Sequence, residues 1–322
     1  MPHQVLTAVS EDSLASKQPL IVHIAELPHG DHLQFQDTAF FIHKRGSFPA
    51  PEEVRSKNIH LNGNRAWGSR PPPVPFPELG LIVKFGSEIT IAEGQCLWYL
   101  NSYLKDSVPT PEVFGWLQDG NEVFIYMELI KGDTLKERWP LLNEEEKGTI
   151  CTQIGGCMEA WKELRQEKEP YFIGHVGNQG VGDIIFRDCG DPHVGPFLDI
   201  TAFHDFFARY SCRSRPERNP RRDFPELVGL TDERPVVFTH ADLDKSNILI
   251  SPSEEGSPPR IIAIIDWHQS GWYPSGWEWM KAQGMCDPIE GGFRDTAWLE
   301  QFMAPADEDY AYAWEYITHS CM

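Results

Sequence analysis

The fold is decided by VVFTHADLDKSNILI, residues 236–250, and IIAIIDWHQSGWYPSGWEW, residues 261–279. Each segment contains a short run of β-branched and other apolar residues, NILI in the first and IIAII in the second. The residues between these runs are mainly Ser, Pro, Gly and Glu, which is a turn composition. The two runs therefore predict a β-hairpin with polar residues at its ends.

Four polar residues mark these segments: His240, Asp242 and Asn247 form an HxDxxxxN pattern, and Asp266 ends the second apolar run. Phosphoryl transfer needs a carboxylate that deprotonates the attacking hydroxyl, oxygen ligands for Mg²⁺, and a cation on the phosphates. A lone HxD pattern is common by chance, and a loop Asp or Asn is more often a turn or cap residue. The combination with a strand-ending acid and an upstream strand lysine, Lys84, favours the catalytic interpretation.

Lys84 lies inside LIVKFG, residues 81–86, a short apolar run that predicts a strand. The next segment predicts a helix, with one face formed by Glu93, Leu97, Leu100 and Leu104. Glu93 should then point inward, where a lone carboxylate is costly without a cation. Lys84 is the predicted partner of Glu93, and helical phase disfavours the alternative partner, Glu88.

The remaining patterns predict how the chain is organised. Residues 113–116 and 123–130 predict two strands joined by a tight turn, and residues 150–164 predict a long helix. Pro, Gly and Asn are frequent in residues 48–77, which predicts an extended loop, whereas the Arg-rich residues 213–223 predict a solvated connection. The C-terminal part, from Trp277 onward, has a helical period.

These patterns predict an α+β, bilobal architecture. Residues 1–130 would form a small, β-rich, nucleotide-binding lobe, of which residues 1–30 are an additional or flexible segment. Residues 131–322 would form a larger, mostly helical lobe for catalysis and substrate binding.

The overall charge bears on the partners of the protein. The 322-residue chain has 28 Lys and Arg against 48 Asp and Glu, a formal net charge of −20. A protein this acidic repels the phosphate backbone, which argues against nucleic acid as a partner. It attracts cations and so weakly favours a cationic substrate, although acidity that only maintains solubility is at least as good an explanation.

The cysteines and apolar runs indicate a compartment. The seven cysteines form neither a CxxC pair nor a zinc-ligand spacing, as expected for reduced thiols in the cytosol. The N-terminal residues do not read as a signal peptide, and no apolar run is long enough to cross a bilayer. We therefore expect a cytoplasmic protein without a membrane partner, and the sequence indicates no oligomeric state.

The segments HADLDKSNILI and IIDWHQSGWYP, with WEWMKA after them, resemble the motifs of the aminoglycoside phosphotransferase and choline kinase superfamily. The resemblance is greatest to fungal proteins of the phosphotransferase enzyme family. It runs from about Leu81 to the C-terminus and includes IGHVGNQGVGD and GPF. It implies a protein-kinase-like fold, ATP or another nucleoside triphosphate, and Mg²⁺.

The resemblance also implies roles for individual residues. His240 would brace the catalytic loop, Asp242 would be the base, and Asn247 and Asp266 would bind the metal. Lys84 would contact the nucleotide phosphates and pair with Glu93. The interlobe hinge, whose backbone would bind adenine, would include Met127, Glu128 and Ile130.

The chain departs from the family pattern in three places. No glycine-rich phosphate loop precedes Lys84, although Gly63 and Gly68 are candidates. Related proteins often have Gly where this chain has Ala241, and Glu where it has His268. We expect the His268 substitution to alter the surroundings of the metal ligands.

Three functions are compatible with the sequence. A kinase that phosphorylates a hydroxyl of a small molecule is favoured over a pseudokinase-like binding or regulatory protein with the same fold. A protein kinase ranks last, because the chain has no DFG or APE motif. The expected walls of the acceptor pocket are Trp272, Tyr273, Trp277 and Trp279, with a packed aromatic core as the alternative interpretation of Trp277 and Trp279.

Overall fold

The computed structural model describes residues 19–188, 190, 194–252, 257–285 and 296–320. The strands are β1 Leu20–Val22, β2 His32–Gln34, β3 Val74–Phe76, β4 Leu81–Gly86, β5 Val113–Asp119, β6 Glu122–Glu128, β7 Asp133–Thr134, β8 Leu164–Gln166, β9 Val236–Thr239, β10 Ile248–Ile250, β11 Ile261–Ile264 and β12 Gly271–Pro274. The helices are α1 Ala39–Ile42, α2 Pro51–Asn62, α3 Ile91–Tyr103, α4 Leu135–Arg138, α5 Glu144–Lys162, α6 Ile184–Asp188, α7 Ile200–Ala208, α8 Pro220–Asp223, α9 Trp277–Met285 and α10 Glu308–His319.

The N-terminal part is an antiparallel sheet of five strands in the order β2-β5-β6-β4-β3. The predicted strand around Lys84 is confirmed as β4, which pairs with β6 in the register Lys84↔Ile125. Val83 and Phe85 pack into an aromatic cluster on one face of the sheet. Because side chains alternate along a strand, Lys84 lies on the opposite face, towards α3.

One segment predicted as extended loop is helical. Residues 48–77 contain α2, which begins at Pro51 and has Glu52 and Glu53 in its first turn. Proline is compatible with the first position of a helix, and acids there interact favourably with the helix dipole. Val54 of α2 is fully buried in the aromatic cluster of the sheet. Tertiary packing therefore stabilises this helix, although the Pro, Gly and Asn content of the surrounding residues predicts a loop.

The segment just before β3 is fixed by a close backbone contact. The Glu88 N–H donates to the Ser69 carbonyl at 3.1 Å, beyond the end of β4. Gly86 has a φ of 143°, and a Cβ built there would lie 2.3 Å from Ser69 O. Only glycine accommodates this approach. Residues 69–71 are thus held against the end of the strand that carries Lys84.

In the C-terminal part, the predicted hairpin is confirmed, with β10 and β11 antiparallel in the register Ile248↔Ile264. The predicted long helix is α5, whose start is fixed by a reciprocal capping box between Asn143 and Glu146. Its C-terminal boundary differs from the prediction, because Leu164 is in β8 rather than in the helix. β8 pairs in parallel with β1, so β1 adds to the C-terminal part and not to the five-stranded sheet.

The Arg-rich residues 213–223 are more anchored than the predicted solvated connection. Arg221, in α8, donates to Asp205 at 3.0 Å and to Asp232 at 2.5 Å. It also donates to the Leu230 carbonyl at 2.8 Å. At least one arginine of this segment is therefore not simply solvated, because Arg221 links α8 to α7 and to the residues that precede β9.

Four cysteines, Cys96, Cys151, Cys157 and Cys212, are buried and unbridged. Cys189, Cys286 and Cys321 lie outside the described residues, as do the N-terminal residues 1–18. None of the helices in the described ranges has the length and apolar character needed to span a bilayer.

The order of the elements confirms the predicted fold class. The protein is an α+β fold with a β-rich N-terminal part and a mostly helical C-terminal part.

We predict that Gly86→Ala will destabilise the protein by about 2–4 kcal/mol, because both backbone strain and a clash with Ser69 O must be relieved. Gly120→Ala is the matched control, since Gly120 also has positive φ, 63°, but a Cβ there would meet nothing within 4 Å. That control should cost only about 1–2 kcal/mol. Urea unfolding of both variants measures the difference, and equal losses would show that the contact with Ser69 imposes no constraint.

Candidate active site

The centre of the site is one lysine between two carboxylates. Lys84 Nζ donates to Glu93 Oε1 at 2.7 Å, and it also contacts Asp266 Oδ1. Lys84 comes from β4, Glu93 from the first turn of α3, and Asp266 from the end of β11. The ion pair therefore joins the sheet, the helix above it and the hairpin of the C-terminal part.

Burial and charge act in opposite directions on this ion pair. Burial alone would lower the pKa of Lys84, but the carboxylates of Glu93 and Asp266 raise it above its ordinary value. Burial raises the pKa of Glu93, which is only 2% exposed, and Lys84 opposes that shift. For Asp266, Lys84 and His268 outweigh burial and hold the pKa well below its usual range.

Glu88, the alternative partner of Lys84, has a different partner. Its Oε2 accepts from Arg187 Nη1 at 3.1 Å. Its pKa is lowered, because hydrogen bonds from Ser69 and Arg187 outweigh the opposing effect of burial. The pairing of Lys84 with Glu93, which the sequence favoured on helical phase, is the one present in the structure.

His240 connects the two halves of the motif. Its Nδ1 accepts from the Asp242 N–H at 3.1 Å, so its Nε2 carries the proton and donates to the Ile265 carbonyl at 3.0 Å. Burial lowers the pKa of His240 to about 4, which keeps the ring neutral. The ring packs edge-on against Trp267, with 4.5 Å between centroids. His240 thus fixes the loop of Asp242 against the strand that leads to Asp266.

Asp242 and Asn247 lie side by side in the loop between β9 and β10. Asn247 Nδ2 donates to the carbonyl of Asp242 at 2.8 Å and to its Oδ2 at 3.0 Å. Asp242 is only 7% exposed. Burial, together with the charges of Asp266 and Asp183, raises its pKa to about 7, against opposing effects of Lys281 and Asn247. A carboxyl with a pKa near neutrality is suited to general base catalysis.

Backbone strain is concentrated at this site. Among the described residues, four other than glycine have positive φ, and two of them are Ala241, at 61°, and Asp266, at 66°. A left-handed conformation costs such residues about 1–2 kcal/mol, and strain of this kind clusters at functional sites.

Glu278, at the start of α9, holds the strained loop in place. Its carboxylate accepts from the His240 N–H at 2.7 Å and from the Ala241 N–H at 3.1 Å. Burial raises the pKa of Glu278 to about 7, although these two N–H groups and Lys162 oppose the shift. The sequence did not single out Glu278, and the available signal was a carboxylate inside the aromatic run GWEW.

The donors present suit a divalent cation. Oxygens of Asp242 and Asp266 and a ring nitrogen of His268 lie within 4.8 Å of one another. Asn247 adjoins Asp242 through its amide nitrogen, which leaves its amide oxygen for a metal. Mg²⁺ prefers such oxygen ligands. The residues predicted as metal ligands therefore fit the ion, and His268 is an additional neighbour that the sequence placed only in their surroundings.

A cavity of about 160 Å³ extends from this centre beneath the sheet. Its walls include all five residues predicted to bind the nucleotide: Lys84, Glu93, Met127, Glu128 and Ile130. Asp266 closes one side, and the remaining walls are mainly aliphatic, from residues such as Ile82, Leu97 and Leu249. An apolar slot with charged groups at one side has the character of a ligand pocket.

The aromatic residues predicted as acceptor walls are in the core instead. Trp272, Tyr273, Trp277 and Trp279 are all at most 5% exposed. Tyr273 and Trp277 stack on each other with 5.3 Å between ring centroids. None of the four lines the cavity beneath the sheet, although Trp272 lines a separate cavity of about 430 Å³ together with Phe172 and Leu198. For Trp277 and Trp279, the alternative interpretation, a packed aromatic core, is the arrangement in the structure.

The glycine candidates do not form a phosphate loop of the usual kind. Gly63 ends α2 with a φ of 52°, and a Cβ at Gly68 would meet only the backbone of Arg70 at 3.8 Å or more. The residue that reaches the site from this region is Arg70, whose charge acts on Lys84, Glu93 and His268. No pattern in the sequence pointed to Arg70.

The sequence model of the phosphotransferase enzyme family matches residues 92–314. Comparison with curated protein sequences gives no match. Among solved structures, aminoglycoside-3'-phosphotransferase of type VIII is 14% identical, with 84% of this chain and 99% of that chain covered and a TM-score of 0.46.

Two other structures are similar at comparable identity. The streptomycin–ATP–APH(2")-IIa ternary complex is 12% identical, with 84% of this chain and 83% of that chain covered and a TM-score of 0.44. Aminoglycoside phosphotransferase APH(4)-Ia is 16% identical, with a TM-score of 0.42. The alignment covers 65% of each chain, so this chain spans just under two thirds of the length of APH(4)-Ia.

We predict that Glu278→Ala will destabilise the protein by about 2–5 kcal/mol, because two buried N–H groups lose their acceptor. Loss of loop geometry should also lower turnover at least ~10-fold while nucleotide affinity changes little. Glu278→Gln, which keeps one acceptor oxygen, should recover part of both losses. Urea unfolding, calorimetry and steady-state rates measure these effects. Unchanged turnover in the alanine variant would show that Glu278 does not position the loop.

Proposed function

The chain belongs to the phosphotransferase enzyme family, and from this premise we propose that it transfers the terminal phosphoryl group of Mg²⁺·ATP to a hydroxyl of a small molecule. The nucleotide-binding lobe in this proposal lies within residues 1–130, where the five-stranded sheet and α3 form the cavity roof. Residues 131–322 supply the base and the metal ligands.

One observation carries the proposal: the five nucleotide-binding candidates line a single cavity that ends at Asp266. The cavity therefore leads directly to the residues that could hold Mg²⁺. An adenine base would occupy its aliphatic end beside Met127 and Ile130. Phosphates would then extend towards Lys84, whose ammonium is already oriented by Glu93 at 2.7 Å.

The hinge has a backbone donor available for a base. The N–H groups of Glu128 and Leu129 donate to the carbonyls of Glu112 and Gly80, at 2.8 and 3.0 Å. Within the described part of the chain, the Ile130 N–H donates to no backbone carbonyl outside the regular elements. Ile130 lines the cavity and would hydrogen-bond the edge of adenine.

Proton transfer is assigned to Asp242. Asn247 orients its carboxylate at 3.0 Å, and Glu278 and His240 hold the loop that carries it. Asp242 would accept the proton of the acceptor hydroxyl as the oxygen attacks phosphorus. Asn247 and Asp266 would hold Mg²⁺, which neutralises charge on the phosphates when bound.

We predict that Asp242→Asn will lower turnover at least ~10²-fold and leave nucleotide binding nearly unchanged, because positioned proton transfer contributes on that scale. Asp244→Asn is the control in the same loop, since its side chain contacts Ser246 and it retains an acceptor oxygen. Steady-state rates with an identified acceptor test the difference. Near wild-type turnover would show that Asp242 is a structural loop residue.

We further predict that Asp266→Ala will abolish Mg²⁺-dependent nucleotide binding, because a hard oxygen ligand of the ion is lost. Calorimetry with ATP, with and without Mg²⁺, measures the effect. Asp309→Ala, in the exposed part of α10, is a control for the loss of one negative charge. The assignment fails if nucleotide affinity is equal and independent of metal in wild type and Asp266→Ala.

A further inference from the structure

A second, larger cavity of about 450 Å³ lies next to the nucleotide cavity. The two cavities share no lining residue, but at two places their lining residues are only one or two positions apart in the sequence. Asp266 lines the nucleotide cavity and His268 lines the larger one. Likewise, Glu93 lines the nucleotide cavity and Ala92 lines the larger one. A ligand in the larger cavity would therefore lie beside the centre of the phosphotransferase site.

The charges that line the larger cavity do not follow the overall charge of the protein. Glu88 is paired with Arg187 at 3.1 Å. Asp183 is paired with Lys281 at 2.5 Å and also accepts from Trp277 Nε1 at 2.8 Å. Both acids among the described residues of the lining thus have partners of their own. In a chain of net charge −20, one further charge remains among those residues, and it is positive.

That charge is the guanidinium of Arg70. The side chain is half-buried, and within the described ranges no carboxylate lies within ion-pair distance of it, although its charge acts on Glu88 and Glu93 from further away. Its chain segment is held by the contact of Ser69 O with Glu88 N–H, so the position of Arg70 is set by the backbone. A planar guanidinium without a carboxylate partner at a cavity wall is suited to carboxylate or phosphate oxygens.

Two neighbouring features suit a hydroxylated anion, the first its negative charge and the second its hydroxyl. The start of α3, at Thr90, Ile91 and Ala92, lines the cavity, and no side chain caps this helix. Helix N-termini favour anions. His268 Nδ1 donates to Asp266 Oδ1 at 2.6 Å, and its buried Nε2 has no partner among the described residues. Nε2 is therefore available to accept from a ligand hydroxyl.

We propose that the larger cavity is the acceptor site and that the acceptor is a small hydroxylated anion, with its carboxylate or phosphate group bound by Arg70. The hydroxyl to be phosphorylated would lie at the end of the cavity formed by His268, next to Asp266. This proposal rests on the phosphotransferase function proposed above. It reverses the weak preference for a cationic substrate that the acidic composition gave.

The test uses four small alcohols on one three-carbon frame: glycerate, glycerol 3-phosphate, 3-amino-1,2-propanediol and glycerol. Their binding to the full chain is measured by ligand-observed NMR, with and without Mg²⁺·ADP. Wild type is compared with Arg70→Ala, with Arg70→Lys and with Arg65→Ala. Arg65 is an exposed arginine of the same region, so its variant has the same change in net charge.

We expect both acids to bind wild type at least ~10-fold more tightly than the amine or glycerol. Arg70→Ala should weaken acid binding about 10- to 100-fold, the loss expected for one charged hydrogen bond. Arg70→Lys should restore part of the affinity, and Arg65→Ala should match wild type. Binding of glycerol should be the same in all four proteins, and Arg65→Ala should bind Mg²⁺·ADP as wild type does.

The proposal is overturned if the amine binds best, if neither acid binds, or if Arg70→Ala binds the acids as wild type does. It is also overturned if Arg70→Ala weakens Mg²⁺·ADP or Mg²⁺·ATP instead, because Arg70 then serves the nucleotide phosphates. Failure of the phosphotransferase function would appear separately, as a wild-type protein that binds no Mg²⁺-nucleotide. In that case, binding of glycerate and glycerol 3-phosphate measured without nucleotide would still test whether the larger cavity binds anions.

Discussion

The structure depends on the ion pair of Lys84 with Glu93 and its extension to Asp266. A buried ammonium and a buried carboxylate each lose hydration, so neither is stable there without the other. Satisfying both fixes the distance between β4 and α3, and the contact with Asp266 fixes the hairpin of the C-terminal part against them. One lysine shared by two carboxylates leaves negative charge at the site, which is the condition for binding a divalent cation.

The loop that carries the proposed base is stabilised from two sides. Ala241 and Asp266 both have a left-handed backbone conformation. This conformation costs energy that contacts from elsewhere in the fold must offset. Glu278 accepts the N–H groups of the loop, and His240 bridges to the carbonyl before Asp266. These contacts come from α9 and from the loop itself. The strained geometry thus persists because buried polar groups have no other partners.

The sequence was sufficient where a residue type and its period specify the environment. A short apolar run placed Lys84 in a strand, helical phase selected Glu93 over Glu88, and β-branched runs predicted the hairpin. It failed where the deciding contact is distant along the chain. The helix α2 is stabilised by burial of Val54 against the sheet, and no local pattern reveals that surface. Glu278 was missed for the same reason, since its partners are the backbone N–H groups of a loop 37 and 38 positions earlier.

The charge that a ligand meets in a cavity need not have the sign of the net charge of the chain, because the two act over different distances. At physiological ionic strength, exposed charges more than about 8 Å away are largely screened. The surplus of 20 negative charges is spread over the whole chain and governs solubility and long-range attraction. Inside a cavity, the field is set by the groups at its walls and by whether each has a partner. Glu88 and Asp183 are each paired with a cation, so the wall next to the proposed metal ligands is dominated by Arg70. The local arrangement of partners, which only the folded chain reveals, therefore determines the sign of the charge that a ligand meets.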